Sequence, residues 1–458
     1  MSTATSAAAS VYTRVVSGAI FPLQERLKKH NSVAVRRQME ASQWWPAEAV
    51  AQHQTQRLKA LLMHAQGHVP YYRDLFRGLG FDAAAVRSAA DLQRLPFLTK
   101  EVIRSNAEGL KSEQARGLAR FNTGGSSGAP LIFYIGRERV SHDVAAKWRA
   151  TRWWGVDIGD VEAVVWGSPI ELTGQDRVKQ LRDALMRTEL LPAFEMSDAK
   201  LDAFVQRLRE RRPRMLFGYP SALSKIAQHA QRRGVALNDL GVKVAFVTSE
   251  RLYDEQRKLI ETVFACPVAN GYGARDAGFI AHQCPQGGMH ITAEDVLVEI
   301  VDDEGRVLPA GQAGEIVVTH LATRDFPFIR YRTGDRAVLD DAACACGRGL
   351  PMLREIQGRA TDFVQAQDGT VMHGLALIYT LRDIAGISEF KIVQESLQLT
   401  RVQLVPGPGC DLPAARARIE REFQARLGPG VTVEVQVVDA IAAEPSGKYR
   451  YVVSKVVA

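Results

Sequence analysis

Apolar positions over the first 120 residues recur at helical spacing. Leu58, Leu61, Leu62 and Ala65 fall on one face. Thr99 follows the break at Pro96 and precedes Lys100-Glu101-Val102-Ile103, the chemistry of a helix N-cap. From about residue 120 the pattern changes. Val161–Trp166, Met215–Phe217, Val242–Phe246 and Pro267–Tyr272 are short apolar runs, as in buried strands. Between them, Leu201, Phe204 and Leu208 mark an amphipathic helix ended by Pro213. Leu223, Ile226 and Ala230 mark another, stopped by Gly234, and Tyr253–Phe264 a third. Strands alternating with helices predict parallel α/β sheets. After residue 288 the texture is β-rich. Val296–Val301, a turn at Asp303-Glu304-Gly305 and Glu315–His320 predict a meander or distorted barrel. The last hundred residues predict a small α+β unit, with strands at Phe390–Val393, Val402–Val405 and Val431–Val438 and a helix at Ala414–Leu427. The expected organisation is a large N-terminal domain, 1–357, and a small mobile C-terminal domain, 358–458.

Composition narrows the class. With 458 residues, one ordinary core is too small. Hydrophobic residues make up 46% and charged residues 24%, the balance of a globular protein. Five cysteines do not form a disulfide framework, and the odd count fits a reducing compartment. A cytoplasmic protein is expected, without a signal peptide or membrane span. The net charge of +7 is spread along the chain. It suits an anionic ligand, and no basic stripe with interleaved aromatics points to nucleic acid. The basic cluster Arg207–Arg214 reads as the solvated face of a helix.

Five short segments carry candidate chemistry. Thr123-Gly124-Gly125-Ser126-Ser127-Gly128-Ala129-Pro130 can wrap N–H groups and hydroxyls around an anion, or form a plain surface turn. It lacks the Lys-Ser/Thr of a Walker loop. Asn270-Gly271-Tyr272-Gly273-Ala274-Arg275-Asp276 follows a predicted buried strand, where open α/β sheets bind ligands. Tyr272 offers a ring face to a base, and Asp276 a hard oxygen to Mg²⁺. Asp335, in Arg330-Tyr331-Arg332-Thr333-Gly334-Asp335, can accept both hydroxyls of a ribose. Gly358-Arg359-Ala360-Thr361-Asp362 marks the domain junction. Lys448, in Glu444-Pro445-Ser446-Gly447-Lys448, is a cation on a Pro/Gly loop. For each of the last four, a structural turn or a solvated charge is the alternative.

Together, in this order, the segments resemble the adenylate-forming superfamily. The resemblance is to its phenylacetate–CoA ligase-like branch, particularly members associated with capsular polysaccharide biosynthesis. His68-Val69-Pro70-Tyr71-Tyr72-Arg73, Leu95-Pro96-Phe97-Leu98-Thr99-Lys100 and above all Phe328-Ile329-Arg330-Tyr331-Arg332-Thr333-Gly334-Asp335 carry it. The resemblance implies that residues 123–128 hold the phosphates of ATP. Ser249, Glu250, Asn270, Gly271, Tyr272 and Gly273 line the nucleotide pocket. Asp335 binds the ribose with help from Arg359, Asp276 takes Mg²⁺, Asp362 is the hinge and Lys448 the catalytic lysine. It implies a ligase that converts a carboxylic acid and ATP to an acyl-adenylate, then transfers the acyl group to a thiol, CoA. Delivery of the acyl group to a sugar, amine or carrier in cell-envelope polysaccharide synthesis is the rival. A non-catalytic nucleotide-binding relative is a third reading, and a homodimer stays open. The chain departs from the branch at Ala129, where many relatives carry lysine, and at Asp276, where glutamate is usual. Gln367–Gly374 lacks the Pro-x-x-Ile-Glu ending.

Separately, Cys284 and His290 sit in one glycine-flanked loop, and Cys344 and Cys346 in another. Three thiols and an imidazole suit a closed structural Zn²⁺ site, with His282 as an alternative ligand. Ordinary thiols and a polar histidine are the other reading. Cys266 and Cys410 fall outside it.

Overall fold

The computed structural model describes residues 10–122, 131–166, 177–193, 195–357, 363–441 and 452–456. They divide into two units, one drawn from 1–123, 131–160 and 269–358, the other from 161–268 and 359–458.

The first unit opens with helices. The long helix Ala47–His68 buries Leu58, Leu61, Leu62 and Ala65, the face that the spacing predicts. Thr99 caps the helix Lys100–Ser105, accepting from the Val102 N–H at 3.3 Å. The β-rich part is an antiparallel run, Val296–Val301, Ala313–His320, Tyr331–Asp340, Met352–Gln357, Met289–Ile291, Gly278–Gln283 and Val268–Ala274, each paired with the next. One apolar cluster joins the helices to these strands, from Leu58 through Phe133 to Tyr331 and Leu353.

Sequence patterning misses the helix Arg137–Trp153. Its buried positions include Arg139, Ser141, His142 and Arg149, so apolar periodicity is weak. These groups are buried because they are paired. Arg149 Nη1 lies 2.7 Å from Glu294 Oε1, His142 Nδ1 2.5 Å from Asp295 Oδ1, and Arg139 Nε 2.9 Å from Asp143 Oδ2.

The second unit holds four parallel strands in the order Thr188–Pro192, Glu162–Trp166, Met215–Gly218, Val244–Thr248. All four residues of Met215–Gly218 and all five of Val244–Thr248 are buried, as expected for strands covered on both faces. The helix Asp198–Arg211 ends just before Pro213, and Pro220–Arg232 just before Gly234, whose φ is 65°. Within the cluster Arg207–Arg214, Arg207 and Arg211 both bind Glu189, at 2.7 and 2.8 Å, so this face is partly paired.

The C-terminal portion is α+β with its own core. The strands Thr432–Val437, Leu399–Pro406, Ile387–Gln394 and Val452–Ser454 form a mixed sheet. Phe390, Ile392, Val402 and Leu404 pack against Ile419, Phe423 and Leu427 of the helix Leu412–Leu427.

Candidate active site and metal centre

The strand Tyr331–Asp340 carries the ribose candidate, and a bulge aims it. Arg332 pairs with Val317 and Arg336 with Glu315, so Thr333, Gly334 and Asp335 oppose Ile316 alone. Thr333 Oγ1 donates to the Ile316 carbonyl at 2.8 Å and accepts from the Asp335 N–H at 3.1 Å. The Gly334 N–H donates to Glu315 Oε1 at 3.1 Å, while Arg332 Nε donates to Glu315 Oε2 at 2.8 Å. The protruding loop is thus held at both ends.

The segment from Asn270 to Asp276 meets this strand through two reciprocal bonds. Tyr272 Oη donates to Asp335 Oδ2 at 3.1 Å. Tyr331 Oη donates to Asp276 Oδ2 at 2.5 Å. The tyrosine of each segment therefore holds the aspartate of the other. Gly273 lies where the ladder shifts register, and a Cβ there would stand 2.4 Å from the Gly278 carbonyl oxygen. Asn270 N–H donates to Gln283 Oε1 at 3.0 Å, and Gly271 pairs with His282.

Asp276 is buried. Its Oδ1 accepts from the Ala277 N–H at 3.1 Å, and its carbonyl accepts from Arg139 Nη1 and Nη2 at 3.3 and 3.4 Å. A carboxylate oxygen with one donor keeps further lone-pair capacity. Mg²⁺ retains several waters and takes one or two carboxylates, so this donor fits the ion. Tyr331 and Arg139 were not singled out from sequence. Tyr331 at least stood inside the most distinctive stretch.

Ser249 and Glu250 lie in the second unit. Ser249 follows the buried strand Val244–Thr248 and has φ 72°, the left-handed region that non-glycine residues rarely occupy. Glu250 Oε2 accepts from Ser221 N–H at 3.4 Å and from Ser221 Oγ, at the first turn of Pro220–Arg232. That end of a helix favours a carboxylate. Residues 123–128, Arg359, Asp362 and Lys448 lie outside the described residues.

The four metal candidates converge within the first unit. The ligand atoms of Cys284, His290, Cys344 and Cys346 all lie within 4.8 Å of one another. Strand pairing explains it. His290 sits opposite His282 on one side and opposite Met352 on the other, so both loops reach it. Cys284 and Cys344 sulfurs are 3.7 Å apart, too far for a disulfide. His290 Nε2 is 3.2 Å from Cys346 Sγ. Tetrahedral zinc sets such edges at about 3.8 Å for S–S and about 3.6 Å for N–S. The Leu350 carbonyl accepts from His290 Nδ1 at 3.2 Å, which leaves Nε2 with its lone pair towards the thiols. Gly288 is required beside them, because a Cβ would stand 2.6 Å from Cys344 Sγ. His282 is buried in the neighbouring strand and is not among the four.

Burial and hydrogen bonding act differently on the members of this cluster. Burial pushes the Cys284 thiol up to about 12 and His290 down to about 4. Burial also opposes ionisation of Cys346, but hydrogen bonds from Arg348 and the neighbouring thiols hold it below the ordinary thiol range. A cation would favour thiolates throughout.

A family model described as AMP-binding enzyme matches residues 189–322, and one described as CapK C-terminal domain matches residues 364–455. Protein CapK of Staphylococcus aureus is 22% identical over 444 residues, 96% of each chain. Phenylacetate-coenzyme A ligase of Thermus thermophilus is 28% identical over 328 residues, 70% of this chain and 72% of that one. The chain is similar to these proteins over most of its length, which supports the adenylate-forming superfamily, in the phenylacetate–CoA ligase-like branch close to CapK. It is accordingly an adenylate-forming ligase. A crystal structure of 2-hydroxyisobutyryl-CoA ligase, in complex with 2-HIB-AMP and CoA, superposes with a TM-score of 0.63 at 22% identity. That likeness covers 90% of this chain and 92% of that one, and shows that this adenylate-forming ligase has their fold. No helix among the described residues is long and apolar enough to cross a membrane.

The Tyr331–Asp276 bond yields a direct test. Tyr331→Phe keeps the buried ring, which meets Phe328 edge-on at 5.1 Å, and removes the hydroxyl. The Asp276 carboxylate then loses a donor in a buried setting, so urea unfolding should show a loss of about 1–3 kcal/mol.

Proposed function

We propose that the protein converts a carboxylic acid and ATP to an acyl-adenylate and pyrophosphate, then passes the acyl group to the thiol of CoA. In the first step a carboxylate oxygen attacks the α-phosphorus, and the bond to the bridging oxygen breaks as pyrophosphate leaves. In the second, the thiol sulfur attacks the acyl carbonyl carbon and AMP departs. The observation that carries this reading is the Asp335 carboxylate, which sits in the bulge of its strand, is held by Tyr272, and would accept ribose hydroxyls. The relatives named phenylacetate–CoA ligase supply the acid–thiol chemistry by analogy.

The remaining roles are assigned on the same footing. Residues 123–128 would hold the phosphates, Ser249, Glu250, Asn270, Gly271, Tyr272 and Gly273 would line the adenine pocket, and Arg359 would assist Asp335. Asp276 would hold Mg²⁺, which when bound neutralises phosphate charge. Lys448 would meet the negative charge that develops at the α-phosphate. Asp362 would be the hinge that carries Lys448 away for the second step. The second reading, transfer of the acyl group to a sugar, amine or carrier, is favoured by Gln367–Gly374, which lacks the Pro-x-x-Ile-Glu ending of the branch. The four-residue centre we assign to structural Zn²⁺, held by Cys284, His290, Cys344 and Cys346, with no open position for chemistry.

A panel of carboxylic acids assayed by ATP–pyrophosphate exchange tests the function. At least one acid should support exchange, and CoA should speed AMP release if the thiol is the acceptor. Lys448→Ala should lose exchange while retaining acyl transfer from a supplied acyl-adenylate. ATP binding without exchange for any acid would leave a nucleotide-binding relative. For Asp335→Ala, calorimetry should show ATP affinity weakened by about 1.5–3 kcal/mol, the worth of hydrogen bonds to a charged group. Unchanged affinity removes Asp335 from the site.

Elemental analysis of untagged protein should find about one zinc per chain, as four ligands in a single closed site imply. Cys344→Ser combined with Cys346→Ser should abolish it and lower the melting temperature. Metal-free parent protein, or a double variant that melts like the parent, would defeat the assignment.

A further inference from the structure

The first helix of the described chain takes no part in the site, yet it presents an organised face. Residues 11–27 run as one helix, Val11–Val15, a wide turn Val16–Ile20, and Phe21–Leu27. Its inner side is docked. Thr13 Oγ1 donates to Asp160 Oδ1 at 2.9 Å, and Phe21 meets Trp148 edge-on at 5.0 Å. Val16 and Glu25 are buried on the same side.

The outer side carries Val11, Val15, Leu23 and Leu27, which are 69%, 48%, 60% and 76% exposed. They are four of the eleven large apolar side chains exposed among the described residues, gathered on one helix. With exposed Ala19 between them, they stand at every fourth position. On a regular helix a four-residue spacing gains about 40° per step, so the row would wind round the helix. The wide turn offsets part of that gain. There the Phe21 N–H bonds the Val16 carbonyl, five residues back, and each turn takes more residues. The row is therefore partly straightened along the outer side.

The charges beside it have one sign. Arg14, Arg26 and Lys29 are exposed, and Lys28 is exposed with its Nζ 3.7 Å from Glu25 Oε1. Glu25 is the single acid between Ser10 and His30. It is buried, and it accepts from Ser32 Oγ at 2.5 Å with His30 Nδ1 at 3.2 Å. An apolar row flanked by cations is the pattern of a helix lying in the interface of an anionic bilayer. Two copies meeting through this face would bring their cationic flanks together, which opposes self-association.

We propose that this face docks the protein on an anionic lipid surface. The apolar row enters the boundary between headgroups and acyl chains, and Arg14, Arg26, Lys28 and Lys29 pair with lipid phosphates. The proposal is independent of the acid and the acceptor.

Flotation of the full chain with vesicles tests it. Vesicles of mixed phosphatidylcholine and phosphatidylglycerol should carry the protein, pure phosphatidylcholine vesicles should not, and about 0.5 M salt should weaken binding. Leu23→Ser with Leu27→Ser should weaken it about tenfold or more. Arg26→Glu with Lys29→Glu should do the same. All four changed side chains are solvent-exposed, and melting temperatures matching the parent confirm intact folding. Failure to float with phosphatidylglycerol vesicles overturns the proposal. So does flotation that both variants leave unchanged. A parent dimer that Leu23→Ser/Leu27→Ser dissociates, without lipid binding, would assign the face to a second copy instead.

Discussion

The buried pair Arg330–Glu299 is the constraint on which the site depends. Arg330 Nε and Nη2 meet Glu299 Oε2 and Oε1, each at 3.0 Å, and Nη1 donates to the Leu95 carbonyl at 2.6 Å. The guanidinium lies 4.3 Å from the Phe97 ring centroid. The backbone is fixed as well. Arg330 N–H donates to Thr319 Oγ1, its carbonyl accepts from the Leu98 N–H, and its φ is 52°. Burial pushes the Glu299 carboxyl up, and Arg330 opposes that shift. Taking one partner away would strand a charge in the core. The next residue is Tyr331, and four further on is Asp335. The pair thus sets where the strand begins, and the strand sets where both candidate aspartates are held.

A second polar layer supports the same region. The helix Arg137–Trp153 places Arg139 against the Asp276 carbonyl, His142 against Asp295 and Arg149 against Glu294. Burial works to raise Asp295, but His142 and Arg57 outweigh it and hold the carboxyl well below its usual range. His320, buried beside them, is kept neutral by burial and by Arg139. Its Nδ1 accepts from the Ala322 N–H at 3.2 Å. Apolar packing is non-directional, whereas such bonds fix orientation. That is what a reacting centre needs from its support.

The Cys/His cluster lies at the other end of the same strands. Cys344 and Cys346 lie in the connection between Tyr331–Asp340 and Met352–Gln357, and Cys284 and His290 lie at the adjoining hairpin. Closing this cluster restrains the connection that follows the strand bearing Asp335.

Much of this was legible from residue order. Helical spacing gave the buried face of Ala47–His68, turn chemistry gave the stops before Pro213 and Gly234, and short apolar runs gave three of the four parallel strands, missing Thr188–Pro192. These signals are local, and local signals survive in a linear chain. The distinctive segments, in their order, carried the family. What the linear chain could not carry was partnership between distant residues. The reciprocal bonds Tyr272–Asp335 and Tyr331–Asp276 join residues 63 and 55 positions apart. The helix Arg137–Trp153 was invisible because its buried face is charged, and a charged residue looks exposed until its partner is known. The four metal candidates were nameable by type, but only the strand pairing His290–Met352 brings their two loops together. Sequence determined the kinds of residue and the local elements. Tertiary structure decided which charges are buried, because burial of a charge is permitted only by a partner that folding supplies.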